Sequence, residues 1–370
     1  MKKTLVALAV AAFAASASAV TVYENEGTKV DFDGQLRLLL EEQATKEKGQ
    51  SSTGGHTNLK NDGSRFGISI KHNINENLYG FGRYETRLDS NSKNADSNSK
   101  NAAGWGDVKT KYAYVGLGGY GHEISFGKQA VIGDSIGQAG FDKVYGVGTG
   151  GIKYSANNTN KKGFDILTSD SDSAINYTYT GIEGLTLGAN YNVANERNNK
   201  GEVKVDSAKS GFGLGAEYTA KIAESQSVTV AAGYTHDDYK SGSSGSVSFN
   251  KKDKDGVYFG LKYVNAPFTV AVDGGHGVLK TDNVKEKIDF VRTGARFDVT
   301  PKSGVYGNYS YGTYKNKAYK ATAHQFMLGA DYKLHKQVVT FVEGRLIKNK
   351  DSNNKKVTDQ ALGVGLRVLW

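Results

Sequence analysis

The chain has 370 residues with a formal net charge of +9, no cysteine, 47 glycines and two prolines. Its Lys and Arg are scattered and interleaved with Asp and Glu, without the basic face that nucleic-acid binding needs, so that class is set aside. With no cysteine an exported chain of this size must hold together without disulfides, and no apolar run reaches the roughly 18 residues of a transmembrane helix candidate.

Lys2 and Lys3 precede an apolar run from Leu5 to Ala15, followed by the small-residue pattern Ala17-Ser18-Ala19. This is the layout of a cleavable export signal, which predicts removal of residues 1–19 and one mature domain over 20–370. If such a chain spans a membrane, it spans it as strands.

From Val30 onward the side chains alternate with period two. Val30, Phe32, Gly34, Leu36, Leu38 and Leu40 share one face, with Asp31, Asp33, Gln35, Arg37 and Glu41 on the other. The same pattern predicts strands at 29–41, 62–73, 77–89, 107–117, 122–129, 173–180, 184–195, 208–220, 226–238, 256–265, 268–279, 287–299, 304–314, 322–334, 337–348 and 357–370. The last of these places Leu362, Val364, Leu366, Val368 and Trp370 opposite Ala361, Gly363, Gly365 and Arg367. Sixteen strands is an even number, as bacterial outer-membrane barrels require.

The connections fall into two kinds. Those at Asn73–Glu76, Gly118–Gly121, Gly181–Gly184, Asn265–Pro267, Thr300–Ser303 and Leu334–Lys336 are tight, and both prolines lie in them; they read as periplasmic turns. Between them run polar stretches at 43–61, 90–106, 195–207, 239–255 and 349–356, which read as extracellular loops. One contains the perfect duplication DSNSKNA at 89–95 and 96–102, a composition that buries no core. The longest connection, from about Ala130 to Asp172, exceeds the usual length of a structureless loop, so a packed position in the lumen is expected for it.

The stretches VYENEGTKV, GSRFGISIKHN, RYETRL, TKYAYVGL, GIEGLTLGANYNVANERN, GARFDVTPKSGVYGNYSYG and the closing strand resemble the general trimeric porins of Gram-negative outer membranes, in particular the major porins of the Haemophilus and Pasteurella type. The resemblance spans the chain. It implies an all-β, 16-stranded antiparallel transmembrane β-barrel, assembled as a homotrimer in the outer membrane, with the long third extracellular loop folded into the lumen. The implied activity is passive diffusion of ions and small hydrophilic solutes, with nicotinamide nucleotides among them, and no enzyme chemistry or cofactor. Outer-membrane lipid, lipopolysaccharide and the barrel assembly machinery are the implied partners.

In such porins basic wall residues face acidic residues on the folded loop. Arg65 (in SRFG) and Lys111 (in TKYAYVGL) match basic wall positions, Arg37 and Arg83 lie on neighbouring polar faces, and Asp134, Asp142 and Asp165 are the acidic candidates. The enteric Pro-Glu-Phe-Gly-Gly-Asp motif is absent from the loop. Trp370 stands where the enteric pattern ends in Phe and keeps the large interfacial ring of the membrane-assembly signature.

Three further matches are set aside. Gly133-Asp134-Ser135-Ile136-Gly137 fits the nucleophile-elbow pattern but no helix follows. Gly116-x-Gly118-x-x-Gly121 and Gly146-x-Gly148-x-x-Gly151 fit the dinucleotide fingerprint, but 47 glycines make chance matches expected and no βαβ unit surrounds them. The seven histidines show no close pair at zinc spacing. Two alternatives stay open on sequence: a substrate-specific channel, and a barrel acting mainly as a surface adhesin or structural protein.

Overall fold

Alternation in the sequence becomes a closed antiparallel sheet in the computed structural model, which describes residues 19–89, 107–156, 159–193, 208–239, 242–244, 247–249 and 251–370. The strands are numbered β1 (Thr28–Glu47), β2 (Thr53–Asn61 with Arg65–Asn73), β3 (Tyr79–Asp89), β4 (Asp107–Gly119), β5 (His122–Ala130), β6 (Asp170–Ile182), β7 (Leu185–Val193) and β8 (Ala208–Ala223). They continue as β9 (Gln226–Tyr239), β10 (Lys252–Asn265), β11 (Phe268–Thr281), β12 (Val284–Thr300), β13 (Ser303–Lys315), β14 (Lys320–His335), β15 (Val338–Asp351) and β16 (Lys356–Leu369). Each pairs with its sequence neighbours, and β16 pairs with β1 from Leu369↔Gln35 to Val357↔Glu47, which closes the barrel.

All sixteen predicted strands are present. The structure adds a short segment, Val20–Asn25, that pairs with the first residues of β1 and completes the β16 position below the chain terminus. It also lengthens the strands into stretches expected to be loop. Leu38–Thr45 pairs with Thr53–Asn61, so the predicted loop at 43–61 shrinks to residues 48–52, and β10 begins at Lys252. These extensions are mostly polar residues and glycine, with Leu59 the one large apolar side chain in Thr53–Asn61, so period two in hydropathy has little to mark there. The predicted signal at 1–19 falls, apart from Ala19, outside the described residues, as does the repeat beyond Asp89.

The two faces of the sheet differ sharply. Leu328 is 71 % exposed, Val115 65 % and Leu362 60 %, whereas Glu343, Gln325 and Asn61 are fully buried. A soluble sheet shows the reverse; apolar side chains outside and polar ones inside are what a lipid-embedded barrel presents. No described helix is long and apolar enough to cross a membrane.

Candidate functional site

Closure decides which charges become neighbours. With β16 beside β1, the inner-face Arg367 stands directly opposite Arg37, and Arg65 on β2 stands opposite Arg87 on β3. Asp62, in the break between the two halves of β2, receives Arg37 Nη2 at 2.7 Å and Arg367 Nη2 at 3.3 Å. Both guanidinium groups also donate to the carbonyl oxygen of Lys143, Arg37 at 3.2 Å. Arg65 lies 3.8 Å from Glu85. The Nε atoms of Arg37, Arg87 and Arg367 are buried and make no hydrogen bond among the described residues.

Arg83 is held differently. Its guanidinium spans both oxygens of Asp33 at 2.8 and 2.9 Å and also reaches Glu85 and Ser69, each at 2.7 Å. Lys111 pairs with Asp170, the first residue of β6, at 2.5 Å.

The connection between β5 and β6, residues 131–169, is fastened to the buried polar face of the far strands. The backbone amides of Lys143, Val144 and Tyr145 all donate to the Glu343 carboxylate on β15, at 2.8 Å for Val144 and 2.9 Å for Tyr145, and Tyr306 Oη donates to the same group at 2.8 Å. The Ala139 amide donates to Asp273 on β11 at 2.7 Å, and Arg292 and Tyr258 fix that carboxylate. Gln325 on β14 accepts from the Gly148 amide at 3.2 Å and donates back to its carbonyl at 2.8 Å. Hydrogen bonds to charged groups contribute about 1.5–3 kcal/mol each, so these anchors outweigh ordinary loop contacts. Ile136, Ile152, Ile166 and Leu167 add an apolar seat against Ile288, Phe290 and Tyr314.

The acidic candidates separate along this connection. Asp134 ends the short 3-10 turn Ile132–Asp134 and lines one cavity of about 370 Å³ with Arg65, Arg83, Phe81, Tyr112 and Tyr114. Burial pushes its carboxyl above the ordinary carboxylate range, against the pull of Lys111. Asp142 is likewise pushed up by burial, with the Glu343 carboxylate adding to it and Arg292 and Arg367 opposing. Asp165 accepts from Thr149 Oγ1 at 3.3 Å within the connection itself. The structure therefore gathers Arg65, Lys111 and Asp134 on one side, sets Arg37 beside Arg367 near Asp142, and leaves Asp165 on the inner turn of the loop.

Trp370 bonds in both directions with Gly34, donating to its carbonyl at 3.1 Å and accepting from its amide at 2.9 Å. Its ring occupies the space a Cβ at Gly34 would need and lies 6.1 Å from Phe32. In the elbow-like motif, Ser135 Oγ donates to the carbonyl of Ile132 at 3.0 Å; Gly116 to Gly121 forms the end of β4 and the turn into β5, with Gly121 at φ +80°.

Sequence reasoning missed Glu343, Asp273 and Gln325 as anchors and left Arg87, Arg367 and Asp62 out of the wall cluster. Two of these carried a usable signal: Arg87 lies on the polar face of its strand beside Arg83, and Arg367 lies on the polar face of the last strand, which any closed barrel sets against the first.

A family model described as Gram-negative porin matches residues 4–352. The major outer membrane protein of Pasteurella multocida (strain Pm70) is 33% identical over 378 residues, covering 100% of this chain and 99% of that protein. Among solved structures, the anion-selective porin from Comamonas acidovorans superposes with a TM-score of 0.64 at 16% identity, covering 93% of this chain and 100% of that one. The trimer form of OmpT, an outer membrane protein of Vibrio cholerae, gives 0.62 at 18% identity, covering 93% and 100%. These two likenesses are to the fold, whereas the family match and the Pasteurella relative run through the sequence that builds the barrel wall, and on them the chain belongs to the Gram-negative porins.

Proposed function

We propose that the arginine wall of β16 to β3 and the 131–169 connection form the narrow part of an open, water-filled outer-membrane channel through which ions and small hydrophilic solutes diffuse passively. The carrying observation is that the connection is tied to Glu343, Asp273 and Gln325 on β11 to β15 and meets Arg37 and Arg367 at the Lys143 carbonyl, while Arg65 and Arg87 line the wall beyond them. In this reading the connection lies in the lumen and narrows it. Opposed charges across such a gap set up a transverse field, so passage depends on solute dipole and charge as well as size. Arg37, Arg65 and Lys111 supply the positive side and Asp134 and Asp142 the negative side; Arg83 and Asp165, each bonded locally, contribute less.

The chain works as a channel and not as an enzyme in this reading, with residues 1–19 removed on export. A homotrimer in contact with outer-leaflet lipid and lipopolysaccharide is the assembly we favour, supported by the trimer form of the Vibrio cholerae protein. The terminal Trp370 is the feature we assign to recognition by the barrel assembly machinery.

A planar bilayer under a salt gradient tests the reading. Ohmic steps closing in thirds are expected, with a reversal potential that moves toward cations when Arg37 and Arg65 are changed to Gln. Silence from folded protein would overturn it. One observation favours a narrower alternative: Phe81, Tyr112 and Tyr114 share the cavity of Arg65 and Asp134, a setting suited to a charged aromatic solute. Saturable block of ion current by a nicotinamide nucleotide, absent for a sugar of similar mass, would select that substrate-specific reading.

A further inference from the structure

The cavity that holds Asp134 has a chemistry the arginine wall lacks. Its charged lining is Asp33, Glu85, Glu123 and Asp134 against Arg65 and Arg83, four carboxylates to two guanidinium groups, and Arg37, Arg87 and Arg367 lie outside it. It sits toward the tight-turn mouth of the barrel, for Leu369 is the last residue of β16 and Glu123 the second of β5.

The donors around it are already engaged. Arg83 is held by Asp33, Ser69 and Glu85. Ser125 Oγ donates to Gln129 Oε1 at 2.7 Å, Gln129 Nε2 to the carbonyl of Ala174 at 3.3 Å, and Asn176 Nδ2 to the carbonyl of Ala130 at 2.7 Å. Lys111, whose charge reaches Asp134 from outside the lining, is paired with Asp170 at 2.5 Å.

Acceptors are left over. Among the described residues the Asp134 carboxylate has no hydrogen-bond or ion-pair partner, and Glu123 accepts only from Tyr79 Oη, at 2.6 Å. Glu85 is 4 % exposed; its Oε1 is buried without a hydrogen bond, 3.8 Å from Arg65, and Asn176 Oδ1 is likewise unbonded. A buried acceptor without a donor is costly, so a ligand that completes this set brings N–H donors and positive charge.

Rings shape the rest of the wall. Phe81 and Tyr114 meet edge to face with centroids 6.4 Å apart, and Tyr112 lines the same space. Aromatic faces attract a cation and pack against an apolar body. At about 370 Å³ the cavity has the size of a small-molecule site. Among the described residues no three carboxylate or imidazole groups converge to hold a metal ion. A quaternary or pyridinium ion has the charge but no N–H for these acceptors.

We infer that this cavity is a subsite for a primary ammonium group carried on an aromatic body, entered from the tight-turn mouth. The inference rests on the channel reading for its access route and fixes the sign and donors of the solute. The arginine wall beyond it opposes the same cation arriving from the long-connection end.

Phenethylammonium, its N,N,N-trimethyl analogue and neutral 2-phenylethanol are added in turn to each side of a planar bilayer holding the full-chain protein, and their binding to detergent-folded protein is measured by calorimetry. Phenethylammonium should block saturably and at a lower concentration from one side, the quaternary analogue about tenfold more weakly and the alcohol not at all. Glu123→Gln combined with Asp134→Asn, checked for folding by heat-modifiable gel migration, should raise the half-blocking concentration between about tenfold and a hundredfold. If that variant does not fold, the ligand series on the unaltered protein decides alone. Equal block by the quaternary analogue, equal block from the two sides, or an unchanged value in the double variant would each overturn the subsite, as would a conducting protein that neither binds the amine nor is blocked by it. Calorimetric binding by a protein that conducts nothing would leave the subsite standing and remove the channel reading instead.

Discussion

Two sets of arginines occupy the same inner face and are held in opposite ways. Arg292 grips both oxygens of Asp273 at 3.1 and 2.8 Å, and Arg296 grips both of Asp331 at 2.9 and 3.0 Å, just as Arg83 spans Asp33. On β16 to β3, by contrast, Arg37 and Arg367 share the one carboxylate of Asp62, and Arg65 and Arg87 face each other in register. A bidentate pair cancels its own field at short range and acts as a fastening. Cations that share a partner keep a field directed into the water beside them, where the wet interior of a porin-sized barrel tolerates it. Residue type and strand face are the same in both sets, and the supply of carboxylates separates them.

The comparison breaks most visibly at its fastenings. Glu343→Ala removes the acceptor of three amides and of Tyr306 Oη, at a cost on the order of 3–6 kcal/mol in barrel stability. We expect a lower urea midpoint together with larger, noisier single-channel steps as the connection loosens. Steps of unchanged size and noise would show that the connection does not limit the current.

A smaller effect sharpens the contrast between the two arginine sets. Arg37→Gln and Arg367→Gln should each move the reversal potential toward cations with little change in stability. Arg83→Gln should lower stability, because it strands Asp33 and Glu85, while moving the potential less. Equal potential shifts from Arg37→Gln and Arg83→Gln would erase the distinction.

The smallest expected effect is a pH dependence. Because burial raises the Asp134 carboxyl above its ordinary value, it takes up a proton at a pH higher than the usual carboxylate range near 4. Falling pH therefore removes negative charge from the loop side, and anion preference should grow. Asp134→Asn should show a smaller change through that window, with Asp142 supplying the remainder. A wild-type profile identical to that variant would show that Asp134 does not act on the permeating ions.

Much of this protein was legible in its residues, and the reason is the bilayer. A strand with lipid on one side and water on the other must alternate, so Leu362, Val364 and Leu366 against Gly363, Gly365 and Arg367 announce a barrel wall. Where lipid ends the signal ends too, which is why Thr53–Asn61 pairs with β1 in a stretch expected to be loop.

Sequence by itself thus determined the fold class, the sixteen strands and the faces on which Arg37, Arg65, Arg83 and Arg367 lie, because period two is a local property of the backbone. Tertiary structure alone decided which of those arginines are neighbours. Arg37 and Arg367 are 330 positions apart and meet only because the last strand returns to the first. Glu343 likewise gains its three amides from a connection some 200 positions upstream. Charge partners are set by barrel closure and by the course of one long connection, and neither leaves a periodic trace in the chain.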